Sequence, residues 1–256
     1  MLLAKKDRMA SAPTKGDAAP FEVDDARYRD WIAHVFDRET TRDRWYFDIY
    51  PVPDFRAGAV ETVSLIGRTV ARCGIDLRDF HDKQIAHGLE YIFDQTASDY
   101  VYSFASPEVP VGLKVAAVNA MKSLYSDCLG VRCGPYLGHL SEGKGRPLNN
   151  FAYMLWDTTP ILWFDQNDRE LFQAWLGVMD LALGLANDAC VESALHGLGH
   201  MYHRDPERVG KIIDRFLAYT IDARNSAAEC ERQASQRSIR SALRAYAHSA
   251  RCGMVV

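Results

Sequence analysis

Apolar side chains recur at steps of three and four residues along most of this chain of 256 residues. The periodic segments tend to begin at a capping residue or a proline and to end at a glycine: Asp24 precedes the first of them, and Pro110 and Gly130 bracket another. This spacing, with these boundary residues, is typical of amphipathic α-helices. No convincing stretch has the strict alternation of a half-buried strand. The sequence therefore predicts an all-α protein.

Caps and periodicity together place the individual helices. The predicted helices cover Asp24–Phe36, 57–73, 80–94, 110–129, 167–186, 189–203, 206–220 and 225–249. The stretch 131–165, rich in glycine and proline, is predicted to be a long loop with one short helix near 150–156. Residues 1–20 are small and polar and are predicted to form a disordered tail. Residues 21–256 are then a single helical domain.

Composition and charge exclude several classes of protein. With 48% hydrophobic residues the chain can bury a sizeable core, and its net charge of −4 excludes a basic coat for nucleic acid. The six cysteines form no CxxC pair, so no zinc ribbon is indicated. The most apolar window, Trp175–Ala186, is interrupted by Asp180 and is too short to cross a bilayer. No export signal is evident, and a cytoplasmic protein with no membrane association is expected.

Two distant segments of the chain repeat one pattern. Residues 84–94 and 193–203 align without a gap and share the sequence His-Gly-Leu. At 100° per residue, the apolar positions of the two segments occupy the same side of a helix. Those positions are Ile85, Ala86, Leu89, Ile92 and Phe93 in the first copy, and Ala194, Leu195, Leu198, Met201 and Tyr202 in the second. Both helices are therefore predicted to bury the same face.

The opposite side of these two helices carries polar side chains, which we call the polar stripe. It consists of Lys83, His87 and Tyr91 on the first helix, and of Glu192, His196, His200 and His203 on the second. Because the other face is apolar, the polar stripe is predicted to face solvent or a groove and to bind a protein partner. The alternative is an ordinary solvated face.

Paired amphipathic helices with a recurring buried pattern resemble HEAT-like and armadillo-type α-solenoids. The resemblance covers residues 57–220 and rests on the repeated His-Gly-Leu and on the apolar spacing. It implies antiparallel helix pairs stacked as a short α-α superhelix, with one surface suited to holding a partner. It implies no catalytic chemistry.

A second interpretation concerns the histidines of the second copy. His196 and His200 lie one helical turn apart, the spacing of zinc ligands borne on a helix, whereas His203 lies about 10 Å along the helix from His196, too far to share one ion. Zinc is the ion that this spacing suggests, and no other cofactor is indicated. HGLGH lacks the glutamate that a metalloprotease of the HExxH type uses as its base. Further ligands would come from other segments, with His139, Asp157 and Asp165 as candidates.

These observations leave three hypotheses for function. The first is a non-catalytic interaction or scaffold protein that binds a protein partner through the polar stripe. The second is a nucleic-acid enzyme, because HEAT-like DNA glycosylases resemble this chain in size and helical content; Trp156 and Asp157 would then lie near a base. The third is a metal-dependent enzyme that uses His196 and His200. No complete catalytic motif is present, which favours the first. The sequence leaves the oligomeric state open.

Overall fold

The computed structural model describes residues 20–40, 44–48, 52–139, 146–160, 169–225 and 233–255. Within these ranges the protein consists of α-helices, short 3-10 and π segments and connecting turns, without a β-strand. The prediction of an all-α protein is confirmed for this part of the chain. The predicted tail falls almost wholly on residues 1–19, which lie outside the described residues.

Ten α-helices follow one another along the described ranges. They are α1 Asp25–Phe36, α2 Ala59–Asp76, α3 Asp82–Phe93, α4 Val111–Ser123, α5 Gly130–Arg132, α6 Pro147–Thr158, α7 Arg169–Leu183, α8 Asp188–Met201, α9 Pro206–Asn225 and α10 Gln233–Ala250. Short 3-10 helices cover Trp45–Phe47 and Tyr100–Ala105, and a π-helical segment covers Leu124–Leu129.

Local sequence accounts for several helix starts. The Asp24 carboxylate accepts the backbone N–H groups of Ala26 and Arg27 and caps α1. The Asn187 side chain accepts the N–H of Ala189 and caps α8. Pro147 occupies the first turn of α6, where its missing N–H costs no helical hydrogen bond. These helices begin where the sequence places a cap or a proline.

Several helix boundaries differ from the prediction: α9 runs to Asn225, past the predicted end at 220, and the last helix begins at Gln233 instead of at 225. Helix α2 continues through Gly74 to Asp76. A Cβ at Gly74 would lie 2.9 Å from the Asp127 Cβ, so the packing at this position requires a glycine. This glycine serves close packing and does not end the helix. The segment predicted as one helix up to Gly130 is α4 followed by the π-helical turn that contains Asp127. The predicted loop 131–165 contains α6, which is longer than expected; residues 140–145 and 161–168 lie outside the described residues.

The helices are arranged in two rows. In the first row α1, α3, α6, α8 and α10 contact one another in that order, and in the second α2, α4, α7 and α9 do so. Helices α7 and α8 pack against each other and join the rows. The buried apolar side chains of both rows form one continuous cluster.

Helix α8 is enclosed by its neighbours. It packs against α6, α7 and α10, and each of its residues from Ala189 to Gly199 is buried. The close approach of α8 to α6 and α7 depends on Gly197, where a Cβ would lie 2.7 Å from Met179 Cε and 2.8 Å from Trp156 Cδ2. As a result, α8 places its polar side chains inside the protein as well as its apolar ones.

Among the described residues, no helix has the length and apolar character needed to span a membrane.

Candidate metal centre

The polar stripe is not a continuous exposed surface. Tyr91 is 3% exposed, and Glu192 and His196 are fully buried, so the prediction that these three side chains face solvent is wrong. Lys83, His87 and His200 are partly buried, and His203 is exposed. The apolar faces of the two repeated segments are buried as predicted, except that Tyr202 is only partly so. Periodicity identifies the most apolar face of a helix but does not report what covers the opposite face.

The two repeated histidines lie in different surroundings. His87 of α3 lines a cavity of about 610 Å³ together with Arg44, Glu90 and Asn150. His196 of α8 lies on the other side of α6, which packs against both α3 and α8. The two histidines therefore do not contribute to one site.

Three side chains converge at the surface end of α8. The Nε2 atoms of His196 and His200 are 2.9 Å apart, and they lie 3.1 and 3.0 Å from Asp157 Oδ1. One turn of α8 separates the two histidines, and the last turn of α6 supplies Asp157. Of the sequence candidates for a further ligand, Asp157 is the one that the structure brings to this histidine pair. We call Asp157, His196 and His200 the trio. Asp165 lies outside the described residues, and His139 and His203 are not part of the trio.

Hydrogen bonding cannot satisfy all three contacts at once. A neutral imidazole carries one proton, on either of its two nitrogens, and a carboxylate carries none. If both Nε2 atoms are protonated, both can donate to Asp157 Oδ1, but neither can accept, so no hydrogen bond joins the two rings across 2.9 Å. If either Nε2 is unprotonated, its lone pair faces the carboxylate oxygen at 3.0 or 3.1 Å. A cation in the middle removes this conflict, because all three lone pairs can then face it.

The spacing of the three atoms suits a particular coordination geometry. At metal–ligand distances of roughly 2.1 Å, atoms about 3.0 Å apart subtend roughly 90° at the ion, whereas tetrahedral ligands would be about 3.4 Å apart. Two histidines and one carboxylate at such angles form one face of an octahedron, the arrangement of non-haem iron centres with open positions. These separations are closer to those of a six-coordinate ion than to those of the tetrahedral zinc that the sequence suggested.

Burial favours the neutral form of His196, which is the form that binds metals. Burial lowers the pKa of His196, although Asp157 beside it opposes the shift, so the ring stays neutral in neutral solution. The side chains of Asp157 and His200 are 32% and 24% exposed, while that of His196 is fully buried. The trio thus has one side within the protein and one side accessible from solvent.

A buried network holds the two helices of the site together. The Ser193 hydroxyl donates to Ala152 O and accepts the indole N–H of Trp156 at 3.0 Å, and it lies 2.8 Å from the Tyr125 hydroxyl. Because the single Ser193 proton is used on Ala152, Tyr125 is the donor in the last contact. Ser193 lies one turn before His196, and Trp156 directly precedes Asp157. The network therefore fixes α6 relative to α8 at the site.

Glu192 has a structural role. Its fully buried carboxylate accepts the backbone N–H groups of Gly138 and of His139, the latter at 3.1 Å. This anchors the turn before residue 140 to α8 and places the His139 ring on that of Tyr153, with centroids 5.3 Å apart. Sequence reasoning assigned Glu192 to the polar stripe and did not identify Ser193 or Tyr246. No local pattern marks these residues, because their partners come from distant segments.

Comparison with protein-family models, with curated proteins and with solved structures finds no match to this chain. The functional argument therefore depends on the geometry of the site.

Proposed function

We propose that this protein is a metal-dependent enzyme whose divalent ion is held by Asp157, His196 and His200. The observation that carries the proposal is the triangle of ligand atoms with sides of 2.9, 3.0 and 3.1 Å, whose three contacts cannot all be hydrogen bonds while Asp157 is ionised. A catalytic metal centre typically has three protein ligands and keeps further positions for water or substrate. Such an ion polarises a bound oxygen or lowers the pKa of a bound water.

The solvent side of the trio supports a catalytic site over a structural one. Structural zinc sites are closed by four protein ligands, whereas within the described part of the chain three groups lie close enough to hold one ion. Partial exposure of Asp157 and His200 leaves that side open to a small molecule. We propose that a six-coordinate ion such as Fe²⁺, Mn²⁺ or Co²⁺ binds there, with its remaining positions available to substrate.

The other two hypotheses have less support. A protein-binding stripe needs accessible side chains, and Tyr91, Glu192 and His196 are buried. A base-stacking role for Trp156 conflicts with its 1% exposure and with the hydrogen bond of its N–H to Ser193. We further propose that the two rows of helices form a short HEAT-like superhelix, which in this protein would serve as the scaffold of the metal centre.

Metal titration of the purified chain tests the proposal. After removal of metals with a chelator, we expect one equivalent of Co²⁺, and anaerobically one of Fe²⁺, to bind. Co²⁺ should give the weak visible absorption of a six-coordinate ion, and added azide should change it by occupying an open position. A weak, non-stoichiometric uptake of every ion would overturn the metal centre. An unchanged spectrum with azide would overturn the open site.

Variants assign the binding to the trio. His200→Ala and Asp157→Asn remove one ligand each and should weaken Co²⁺ binding at least about tenfold, which corresponds to 1.4 kcal/mol. His203→Ala is the matched control, because His203 is an exposed histidine near the same helix end and outside the trio. Equal affinity of His200→Ala and His203→Ala would contradict the assignment.

A further inference from the structure

On the buried side of the candidate metal centre, His196 contacts a tyrosine of the last helix. Nδ1 of His196 lies 2.6 Å from the hydroxyl of Tyr246, which belongs to α10. Tyr246 is 6% exposed, and its ring is nearly parallel to that of His196. The ring of Tyr153 on α6 also packs against that of His196, with centroids 4.4 Å apart. The Tyr246 hydroxyl thus connects the candidate ligand His196 with α10.

The position of the imidazole proton follows from this contact. If Nε2 of His196 uses its lone pair to bind the ion, the ring proton lies on Nδ1 and is donated to the Tyr246 oxygen. Tyr246 can accept this bond because a phenolic oxygen is an acceptor as well as a donor. Hydrogen bonds of this kind orient histidine ligands and fix their tautomer in metal sites.

We propose that Tyr246 is a positioning residue that holds His196 in the tautomer with its proton on Nδ1 and so prepares Nε2 for the metal ion. This inference rests on the proposed function. It also has a consequence for the fold, because an ion that fixes His196 strengthens the contact between α8 and α10. Ligand binding to the folded state stabilises the contacts on which it depends, so metal binding should slow hydrogen exchange in α10.

The test compares Tyr246→Phe with the unchanged protein in a Co²⁺ titration. The variant keeps the buried ring and removes the hydroxyl, and we expect its affinity for Co²⁺ to fall by about 10- to 100-fold. Tyr202→Phe is the control, because Tyr202 is a partly buried tyrosine at the end of α8 whose ring contacts His203 and not the trio. Equal affinities of Tyr246→Phe and the unchanged protein would overturn the inference and leave the metal centre standing.

A spectroscopic measurement determines the tautomer of His196 without the need for a variant. Long-range nitrogen–proton NMR of the metal-free protein should show the His196 proton on Nδ1, and a proton on Nε2 would overturn the inference. This measurement decides the question even if Tyr246→Phe fails to fold. If the unchanged protein binds none of the ions, both the proposed function and this inference fail. The titration of the unchanged protein therefore tests the first, and the ratio of affinities and the tautomer test the second.

Discussion

Replacing Ser193 by alanine should destabilise the protein strongly although it removes a single oxygen atom. Ser193 is fully buried, and its hydroxyl accepts from Trp156 at 3.0 Å and from Tyr125 at 2.8 Å. The variant leaves both donors buried without an acceptor. A buried donor that loses its partner costs about 1–3 kcal/mol, so the free energy of unfolding should fall by about 2–6 kcal/mol.

Urea denaturation followed by tryptophan fluorescence measures this loss, and the melting temperature should fall by roughly 10 °C. Ser64→Ala is the matched control: Ser64 is also buried in a helix, but its hydroxyl bonds to the carbonyl oxygen of Val60 one turn earlier. Its loss leaves no orphaned side-chain donor, and we expect a cost of about 1 kcal/mol or less.

A double-mutant cycle identifies the cause. In a Tyr125→Phe background one of the two orphaned donors is already gone, so Ser193→Ala should cost about 1–2 kcal/mol less there than in the unchanged protein. The reasoning would be refuted if Ser193→Ala cost no more than Ser64→Ala, or if the effects of the two substitutions simply added.

Three further predictions concern packing, pH and the turn before residue 140. Gly197→Ala should lower the free energy of unfolding by about 1–3 kcal/mol, because its Cβ would meet Met179 and Trp156; chemical denaturation measures this, and unchanged stability would contradict the close packing. Burial lowers the pKa of His34 to about 4, so the unfolded chain binds more protons between pH 6.5 and 4 and stability should fall as pH falls through this window. After allowance for solvent screening, the free energy of unfolding should fall between pH 7 and 5 by on the order of 1 kcal/mol more than it does in His34→Gln. An equal dependence of stability on pH in the two proteins would count against this prediction. Glu192→Gln replaces the carboxylate that accepts two backbone N–H groups; faster hydrogen exchange at residues 138–139 is expected, and unchanged exchange would argue against the anchor.

Sequence predicted the helices well because their signals are local. Asp24 caps α1 within one turn as predicted, and the apolar positions around Leu89 and Leu198 are buried as their periodicity predicts. The HxxxH spacing likewise defines a local geometry, and it put His196 and His200 at one site. These features depend on rise and rotation per residue, which the sequence fixes.

The candidate site was only partly predictable. Asp157 was one of three possible partners for the histidine pair, and nothing in the sequence could select it, because the choice depends on how α6 packs against α8. The prediction of an exposed polar stripe was wrong for the same reason. In the sequence, Glu192 and His196 fit a solvated helix face, but α10 and the turn at 138–139 cover them in the folded protein.

The order of residues alone established that this chain forms amphipathic helices, approximately where most of them begin, and that two imidazoles lie one turn apart on one of them. Tertiary packing alone decided that α8 is enclosed, that Asp157 joins the two imidazoles, and that Tyr246 contacts His196 across 50 positions of sequence. The physical reason is range: helix formation and capping act over one or two turns, whereas burial and metal-ligand geometry depend on which helices pack together.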